Sequence, residues 1–411
     1  MGTLFRKFLA QLIRVGAIEI EEPDGTRYTV GSAQTQPPPL VRIEDEGVKA
    51  ELLRDPELAF GELYMEGRIV VLRGSIYDVI AVAMRNMAQG GGSRWVELLQ
   101  ETRLAIQKMM RNTLRRASAN VAHHYDIGND LYRLFLDSDW QYSCAYFETD
   151  DADLDTAQRA KQRHIAAKLL IEPGHRVLDI GCGFGGLAFY LARYCSARVT
   201  GLTLSRAQLD FAEARLAEEK ADISFLLQDY RDIRGTFDRI VSVGMFEHVG
   251  RAHYSLFFRK LASHLAPDGV ALLHTIGRYG PPRGVNPWAL KYIFPGGYIP
   301  SLSEIVPAIE RAGLYATDIE ILRLHYAKTL AHWLRRFLAH RDEAKALYGE
   351  RFCRMWEFYL SIAQCAFEYE DQVVFQIQIA KSIDKVPLTR AYIETREEEL
   401  RARERLDLAA E

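Results

Sequence analysis

The feature that most constrains the fold is an apolar strand that runs directly into a glycine-rich turn and then into a helix. Residues 177–180 form the strand, residues 181–186 carry four glycines, and residues 187–194 continue at helical spacing. Glycine lets the main chain turn sharply and approach a nucleotide-like ligand closely. The segment therefore predicts a nucleotide site at the first strand of a sheet, with a tight turn that binds nothing as the alternative.

Short β-branched runs alternate with helical stretches after this point. They occur at 176–180, 198–202, 223–227, 239–243 and 270–275, and a late run at 372–379 is suited to an antiparallel strand that closes the sheet. Alternation of this kind predicts an α/β fold with a Rossmann-like, mostly parallel sheet.

Composition narrows the class of function. The sequence has 52 Lys and Arg against 55 Asp and Glu, for a formal net charge of -3. It lacks the basic excess of a dedicated nucleic-acid binder, so we expect no nucleic-acid partner. The five cysteines form no CxxC pair, which indicates neither a metal site nor a disulfide framework. No apolar run approaches the roughly 20 residues that span a bilayer, so we expect a cytoplasmic protein that meets the inner face of the membrane peripherally.

Residues 1–102 are predicted to form a smaller N-terminal α+β domain for lipid or membrane interaction, or for dimerisation. Its first helix is amphipathic, with Arg6, Lys7 and Arg14 on the polar side. That pattern suits an anionic membrane surface, although a helix packed on its own domain shows it too. Residues 48–80 predict a helical stretch, and residues 103–120 a basic linker.

The catalytic domain is predicted to span residues 121–388. Within it, segments at about 277–300 and 321–370, rich in aromatic residues and amphipathic helices, are interpreted as an insertion, and the resemblance of this domain to a known family implies that the insertion covers a lipid chain. Residues 389–411 are highly charged, and we expect an exposed helix or a disordered tail.

The residues of the glycine turn narrow the choice of nucleotide. The pattern Asp-x-Gly-x-Gly-x-Gly, with Asp179 in the strand end and Gly181 and Gly183 in the turn, resembles the first motif of class I S-adenosylmethionine (SAM) methyltransferases. It is not the G-x-G-x-x-G spacing of dinucleotide enzymes. The resemblance implies a seven-stranded methyltransferase domain with SAM as its cosubstrate.

The ends of the next two strands are the expected contacts to the nucleoside. The second strand lacks the carboxylate that most of the superfamily places against the ribose hydroxyls, so polar side chains must replace it. The expected contacts are Thr203, Leu204 and Gln208 for the ribose, and Gln228, Asp229 and Tyr230 for the adenine. For Asp229, a helix cap is the alternative.

Further blocks resemble one family. They lie at 124–130, 142–144, 201–205, 228–232, 244–250 and 273–277. Together they closely resemble the cyclopropane-fatty-acyl-phospholipid synthases, over residues 45–382 and most specifically over 120–300. The resemblance also places Tyr142 and Ser143 among the SAM-binding residues.

The resemblance implies transfer of the sulfonium methyl to a cis double bond of an unsaturated phospholipid acyl chain, followed by proton loss and ring closure. In these synthases the base is a bound bicarbonate or carbonate. Its holders match Cys144, Glu247, His274, Ile276 (through its main chain) and Tyr326. Without the family, His274 is as well interpreted as a core histidine, and Cys144 lacks a nearby Cys-His-Asn arrangement.

Three other functions stay open at this point. A relative that stops after methylation would give a methyl-branched or methylene-bearing acyl chain. A methyltransferase for small N, O or S acceptors, or a lipid-binding scaffold without activity, would not need the complete set of anion holders. The separate N-terminal domain is also compatible with a homodimer.

Overall fold

The computed structural model describes residues 2–32, 37–88, 102 and 128–408. The chain forms two compact units, each discontinuous in sequence. The first comprises Met1–Gln107, Arg283–Pro295 and Ala327–Gln372, and the second Lys108–Pro282, Gly296–Tyr326 and Val373–Glu411. The predicted domain boundaries follow chain order instead, and most of the predicted insertion falls in the first unit. That this insertion covers a lipid chain stays a prediction.

Helices and strands are numbered along the described residues. The helices are α1 (Gly2–Leu12), α2 (Gly47–Arg54), α3 (Pro56–Glu66), α4 (Ile76–Asn86), α5 (Asn129–Arg133), α6 (Leu154–Lys168), α7 (Gly186–Cys195), α8 (Arg206–Glu219), α9 (Tyr254–His264), α10 (Pro287–Tyr292), α11 (Leu302–Arg311), α12 (His325–Ala339), α13 (Arg341–Tyr348), α14 (Glu350–Tyr369) and α15 (Ala391–Leu408). The strands are β1 (Gly16–Glu21), β2 (Arg27–Ser32), β3 (Leu40–Ile43), β4 (Ile69–Arg73), β5 (Arg176–Ile180), β6 (Arg198–Thr203), β7 (Ile223–Leu227), β8 (Phe237–Val243), β9 (Leu265–Arg278), β10 (Tyr315–Leu322) and β11 (Gln372–Ala380).

The first unit is built on a four-stranded sheet in the order β2-β1-β3-β4. Helix α1 packs its apolar side into this unit, where Phe5 is buried. The guanidinium of Arg6 lies 3.8 Å from the centroid of the Tyr28 ring. The apolar stripe of the first helix therefore packs on its own domain. Within the described ranges, no helix combines the length and the apolar character that a membrane span requires.

The prediction of one helical stretch over residues 48–80 is wrong. Helix α3 begins after Asp55, whose side chain caps it, and ends at Gly67 in the left-handed conformation. Strand β4 follows, because its β-branched residues favour a strand, and Ser75 then caps α4. The stretch is therefore three helices and a strand.

The C-terminal helices of the first unit pack on its N-terminal ones. Helix α14 contacts α3 and α4, and the hydroxyl of Tyr64 donates to Glu357 at 2.8 Å. Trp288 of α10 is fully buried, with its ring 4.6 Å from that of Phe358. Residues far apart in sequence thus share one core in this unit.

The second unit contains a seven-stranded sheet in the order β10-β11-β9-β8-β5-β6-β7. Strands β5 to β9 pair in parallel, and β10 is antiparallel to β11. The predicted α/β fold, with its mostly parallel seven-stranded sheet, is confirmed. Each of the six predicted strands lies within an observed one, whereas β10 was not predicted.

Strand order reverses beside β5, which has β6 on one side and β8 on the other. Connections leave such a point in opposite directions and open a crevice at the carboxyl ends of the strands, where ligands bind in sheets of this kind. The glycine turn, at residues 181–186, lies at this crevice.

The charged tail was expected to be an exposed helix or disordered, and residues 391–408 are helical with one side exposed and the other packed. They form α15, which packs against α6 and α7. Glu404 is buried and accepts from Arg163 and from the Tyr190 hydroxyl, both at 2.5 Å. Charge indicated exposure of the whole segment, but on its packed side Glu397 and Glu404 interact with His164 and Arg163 of α6.

Candidate active site

A pocket at the crevice is formed by the ends of β5, β6, β7 and β8. All eleven residues predicted to bind SAM line it. They are Tyr142, Ser143, Asp179, Gly181, Gly183, Thr203, Leu204, Gln208, Gln228, Asp229 and Tyr230. We call this the nucleotide pocket. Its lining also includes Trp140, Phe184, Arg231 and Met245, which the sequence did not single out.

The space beside the main chain at Gly183, in the nucleotide pocket, is open. Its φ is +56°, and a Cβ added there would meet no protein atom within 4 Å. The lack of a side chain is therefore not explained by protein packing. The positive φ accounts for a glycine in a tight turn, and the open space beside it would admit a ligand close to the main chain.

Asp179 is buried in the same pocket. Neither of its carboxylate oxygens has a hydrogen-bond partner among the described residues. Burial raises the pKa of Asp179 to about 7, although the charge of Lys161 acts in the opposite direction. A buried carboxyl in this state is suited to pairing with a cationic group of a ligand.

Two polar side chains meet at the end of β6. The hydroxyl of Thr203 donates to Oε1 of Gln208 at 2.8 Å and accepts from the main-chain N–H of Ser205 at 3.1 Å. Ser205 caps α8 and so fixes the first turn that carries Gln208. Oε1 of Gln208 is thereby engaged, and its amide nitrogen is the group suited to a ligand oxygen.

Asp229 has the capping role that the sequence left open. It accepts from the main-chain N–H of Arg231 at 2.9 Å and caps a short 3-10 turn. Its carboxylate also pairs with the guanidinium of Arg231 at 2.7 and 2.8 Å. Contact with adenine stays a prediction for Asp229.

Polar side chains of helix α6 form hydrogen bonds to the 141–144 segment. Nζ of Lys161 donates to Gln141 at 2.7 Å and to the Ser143 hydroxyl at 2.8 Å. Nε2 of Gln158 donates to the carbonyls of Gln141 and Ser143. Lys161 is fully buried, and burial lowers its pKa to about 8. Sequence patterns did not identify these residues, because polar and charged side chains in a helix normally indicate a solvent-exposed face.

The predicted anion holders, Cys144, Glu247, His274, Ile276 and Tyr326, are together called the base site. Oε1 of Glu247 accepts from the main-chain N–H of Ile276 at 2.5 Å, and Oε2 is buried with no partner among the described residues. Burial raises the pKa of Glu247 to about 7 against the opposing effect of this hydrogen bond. The Ile276 amide therefore holds Glu247, which was not expected.

His274 lies two residues before Ile276 on β9 and is buried. Its Nδ1 is 3.2 Å from Nε2 of Gln376, while its Nε2 is buried and has no partner within the ranges described. Burial first, and then the nearby cations Lys161 and Lys168, keep the pKa of His274 well below its usual value. The ring is therefore neutral at physiological pH.

Cys144 and Tyr326, also buried, lie on two segments that are tied to each other. The main-chain N–H of Phe147 donates to Nδ1 of His325 at 2.9 Å. Tyr146 stacks between His325 and His164, with centroid distances of 4.9 and 4.2 Å. The structure thus pairs Glu247 with Ile276 and ties the segment of Cys144 to that of Tyr326. That all five hold one anion stays a prediction, and the 124–127 part of the family block lies outside the described residues.

Three comparisons with known proteins bear on this site. A family model described as mycolic acid cyclopropane synthetase matches residues 112–377, and a domain of unknown function matches residues 4–90. The chain is 36% identical over 385 residues to the cyclopropane-fatty-acyl-phospholipid synthase of Escherichia coli K12, covering 89% of this chain and 96% of that enzyme. The chain belongs to the cyclopropane synthase family. It is therefore a SAM-dependent methyltransferase.

Cyclopropane synthases of known structure share the fold of the catalytic region. The synthase MmaA2 from Mycobacterium tuberculosis is 34% identical, with a TM-score of 0.62 over 64% of this chain and 98% of that one. The mycolic acid cyclopropane synthase CmaA1, in complex with SAH and CTAB, is also 34% identical, with a TM-score of 0.61 and the same coverage.

Proposed function

We propose that this cyclopropane synthase transfers a methylene carbon from SAM to the cis double bond of an unsaturated phospholipid acyl chain. The observation that carries the proposal is a pair of buried polar atoms, Oε2 of Glu247 and Nε2 of His274. Neither has a partner among the described residues. Glu247 follows the carboxyl end of β8, which borders the nucleotide pocket, and His274 lies within β9, the neighbouring strand. Such atoms are costly to bury unless they serve a ligand.

SAM fits the nucleotide pocket by charge and by shape. Its methionine ammonium would satisfy the carboxyl of Asp179, and its carboxypropyl arm would lie over Gly183, where the main chain is open. The ribose oxygens are suited to the amide of Gln208.

The reaction needs a base in addition to alignment. The alkene π electrons attack the sulfonium methyl carbon, the C–S bond breaks, and positive charge develops on the other alkene carbon. Removal of a proton from the new methyl group lets its C–H electron pair form the last ring bond. Bound bicarbonate supplies the base for this step. An alkene is a weak nucleophile, so positioning is essential.

Glu247 and His274 fit an anion despite the acidic character of Glu247. Burial raises the pKa of Glu247 to about 7, so Oε2 can accept the bicarbonate hydrogen when ionised and donate a hydrogen bond when protonated, an exchange that an amide cannot make. Because the pKa of His274 is kept well below its usual value, its ring is neutral and carries no acidic imidazolium proton that would neutralise the base. Both groups can therefore orient bicarbonate without quenching its basicity.

The proposal is tested with vesicles of a phospholipid that has one cis double bond per chain and with SAM labelled in its methyl carbon. Mass spectrometry is expected to show acyl chains with one added labelled carbon and two added hydrogens. Mild hydrogenation distinguishes a ring from a methylene-bearing or methyl-branched alkene, because only the alkene takes up hydrogen. An alkene product would overturn ring closure. Undiminished turnover in bicarbonate-free buffer would overturn the assigned base.

We also propose that the protein reaches its substrate from the membrane surface, through the exposed cations of the first helix region. Lys7 and Arg14 are exposed, as is Leu4 at 62%. Charge reversal of Lys7 and Arg14 is expected to weaken sedimentation with anionic vesicles, and rising salt should do the same. Arg6 is left intact because it stacks on Tyr28. Binding that ignores both salt and charge reversal would contradict this surface.

A further inference from the structure

Three neighbouring strands carry a row of polar side chains that is partly exposed at Glu320 and ends, buried, at the base site. Glu320 of β10 lies opposite Gln376 of β11 in the sheet register, and Nε2 of Gln376 is 3.2 Å from Nδ1 of His274 on β9. Lys168, from the end of α6, donates from Nζ to Oε1 of Gln376 at 2.8 Å. Gln376 is fully buried, and Lys168 and His274 are nearly so.

The chemistry of Lys168 decides the direction of every hydrogen bond in this row. An ammonium group only donates, so the atom of Gln376 that faces it must be the amide oxygen. The amide nitrogen of Gln376 then faces His274 and donates to Nδ1. A neutral imidazole that accepts at Nδ1 carries its hydrogen on Nε2, which is the ring atom without a protein partner in the part of the chain described here.

We infer that Lys168 and Gln376 are positioning residues that keep His274 in the Nε2–H tautomer, so that the ring donates a hydrogen bond to the bound base. The inference rests on the proposed function, because bicarbonate is the acceptor that it supplies. The opposite tautomer would turn a lone pair towards the anion and repel it. The row therefore selects the one neutral form of His274 that can hold the base.

Lys168 is itself held in place on its other side. Glu320 accepts from Lys168 and, at 2.7 Å, from Nε2 of His164. Nδ1 of His164 is 2.5 Å from Glu397 of α15. Its interactions with His164 and Lys168 outweigh its partial burial and keep the pKa of Glu320 below its usual value. The ammonium of Lys168 thus remains directed at Gln376 by a carboxylate behind it.

The test replaces Gln376 by Glu, which has the same shape but only accepts. A carboxylate there would still pair with Lys168 and would accept a hydrogen from Nδ1 of His274, which favours the opposite tautomer. In protein labelled with 15N at histidine, the signals of His274 are expected to change from the Nε2–H to the Nδ1–H pattern. Turnover should fall by about tenfold or more, with a higher KM for bicarbonate.

Gln378→Leu is the matched control. Gln378 is buried on the same face of β11, and it donates to the main-chain carbonyl of Lys168 and to the Tyr392 hydroxyl. Its loss is expected to lower stability without changing the 15N pattern of His274. If Gln376→Glu does not fold, Gln376→Met removes both hydrogen bonds at nearly constant volume and should give a mixture of tautomers.

The possible outcomes separate this inference from the proposed function. A folded Gln376→Glu protein that keeps the Nε2–H pattern would overturn the inference, and so would a changed tautomer with unchanged turnover. Wild-type turnover that is insensitive to bicarbonate would overturn the assigned base instead, while the 15N spectra would still report whether Gln376 sets the tautomer.

Discussion

The nucleotide pocket and the base site are formed around the same seven-stranded sheet, yet they are built differently. In the nucleotide pocket, sharp main-chain turns at Gly181 and Gly183 create the space, and several polar side chains line it. In the base site, two buried atoms of Glu247 and His274 depend on partners from remote segments. We therefore expect the nucleotide pocket to lose its ligand when a larger side chain is introduced. We expect the base site to lose its function when a single polar atom is replaced.

The largest effect is expected for Gly183→Val. The new side chain would fill space that no protein atom occupies, so SAM binding should fall below detection in calorimetry. Gly174→Val is the control, because Gly174 also has a positive φ, of +81°, and open space around its Cβ but lies outside the nucleotide pocket. Both variants carry similar strain, and only the first should lose SAM. Unchanged affinity would remove Gly183 from the site.

Glu247→Gln tests whether the base site depends on a single polar atom. Gln keeps an acceptor for the Ile276 amide but cannot cycle a proton, so turnover should fall by about a hundredfold or more while SAM affinity is retained. Added bicarbonate should restore part of the activity. Normal turnover, or a loss of SAM affinity in proportion to rate, would make Glu247 a structural or cofactor residue.

Asp179 gives the nucleotide pocket a pH dependence. Its pKa is raised to about 7 in the free protein, so below that pH a proton must leave before the carboxylate can pair with the SAM ammonium. SAM affinity is therefore expected to rise with pH up to about 7, by nearly tenfold per pH unit. Calorimetry across this range checks it. Asp179→Asn should flatten the profile, whereas Glu247→Gln should leave it unchanged.

The smallest effect is expected at Lys161, which belongs to both regions. It supports Ser143, and its charge lowers the pKa of Asp179 and, less than burial does, that of His274. Lys161→Met should weaken SAM binding a few-fold and move the midpoint of the SAM pH profile above 7. Lys220→Met, at an exposed position, is the control. An unmoved midpoint would show that the charge of Lys161 does not act on Asp179.

The sequence predicted the nucleotide pocket more completely than its surroundings for a physical reason. Its residues occur in short contiguous blocks at strand ends, so local patterns identify them. Gln376 and His274 are 102 residues apart, and Gln376 and Lys168 are 208 apart. No local sequence pattern identifies these contacts, because a glutamine in an apolar strand does not indicate which residues it will contact.

Two features that the sequence did not reveal, strand β10 and the burial of helix α6, have different causes. Strand β10 is only partly buried along most of its length, so its alternation was weak. Helix α6 has six buried polar residues among the most buried polar groups of the chain, including Lys161, Arg163 and Lys168. Composition rules expect such residues at the surface, because they assume that charges remain solvated. In this protein the charged side chains of α6 are buried and paired, and only the tertiary structure identifies their partners.

The docking of α15 has a consequence for the order in which the protein acquires its structure. Arg163 and Glu404 are 241 residues apart, and His164 and Glu397 are 233 apart. During synthesis, α6 is therefore complete long before its acidic partners on α15 leave the ribosome. Until then Arg163 has only Glu148, and His164 only Glu320, of the carboxylates that surround them in the finished protein. The second unit therefore completes its structure late, because the ion pairs between α6 and α15 form after the strands of the nucleotide pocket have been synthesised.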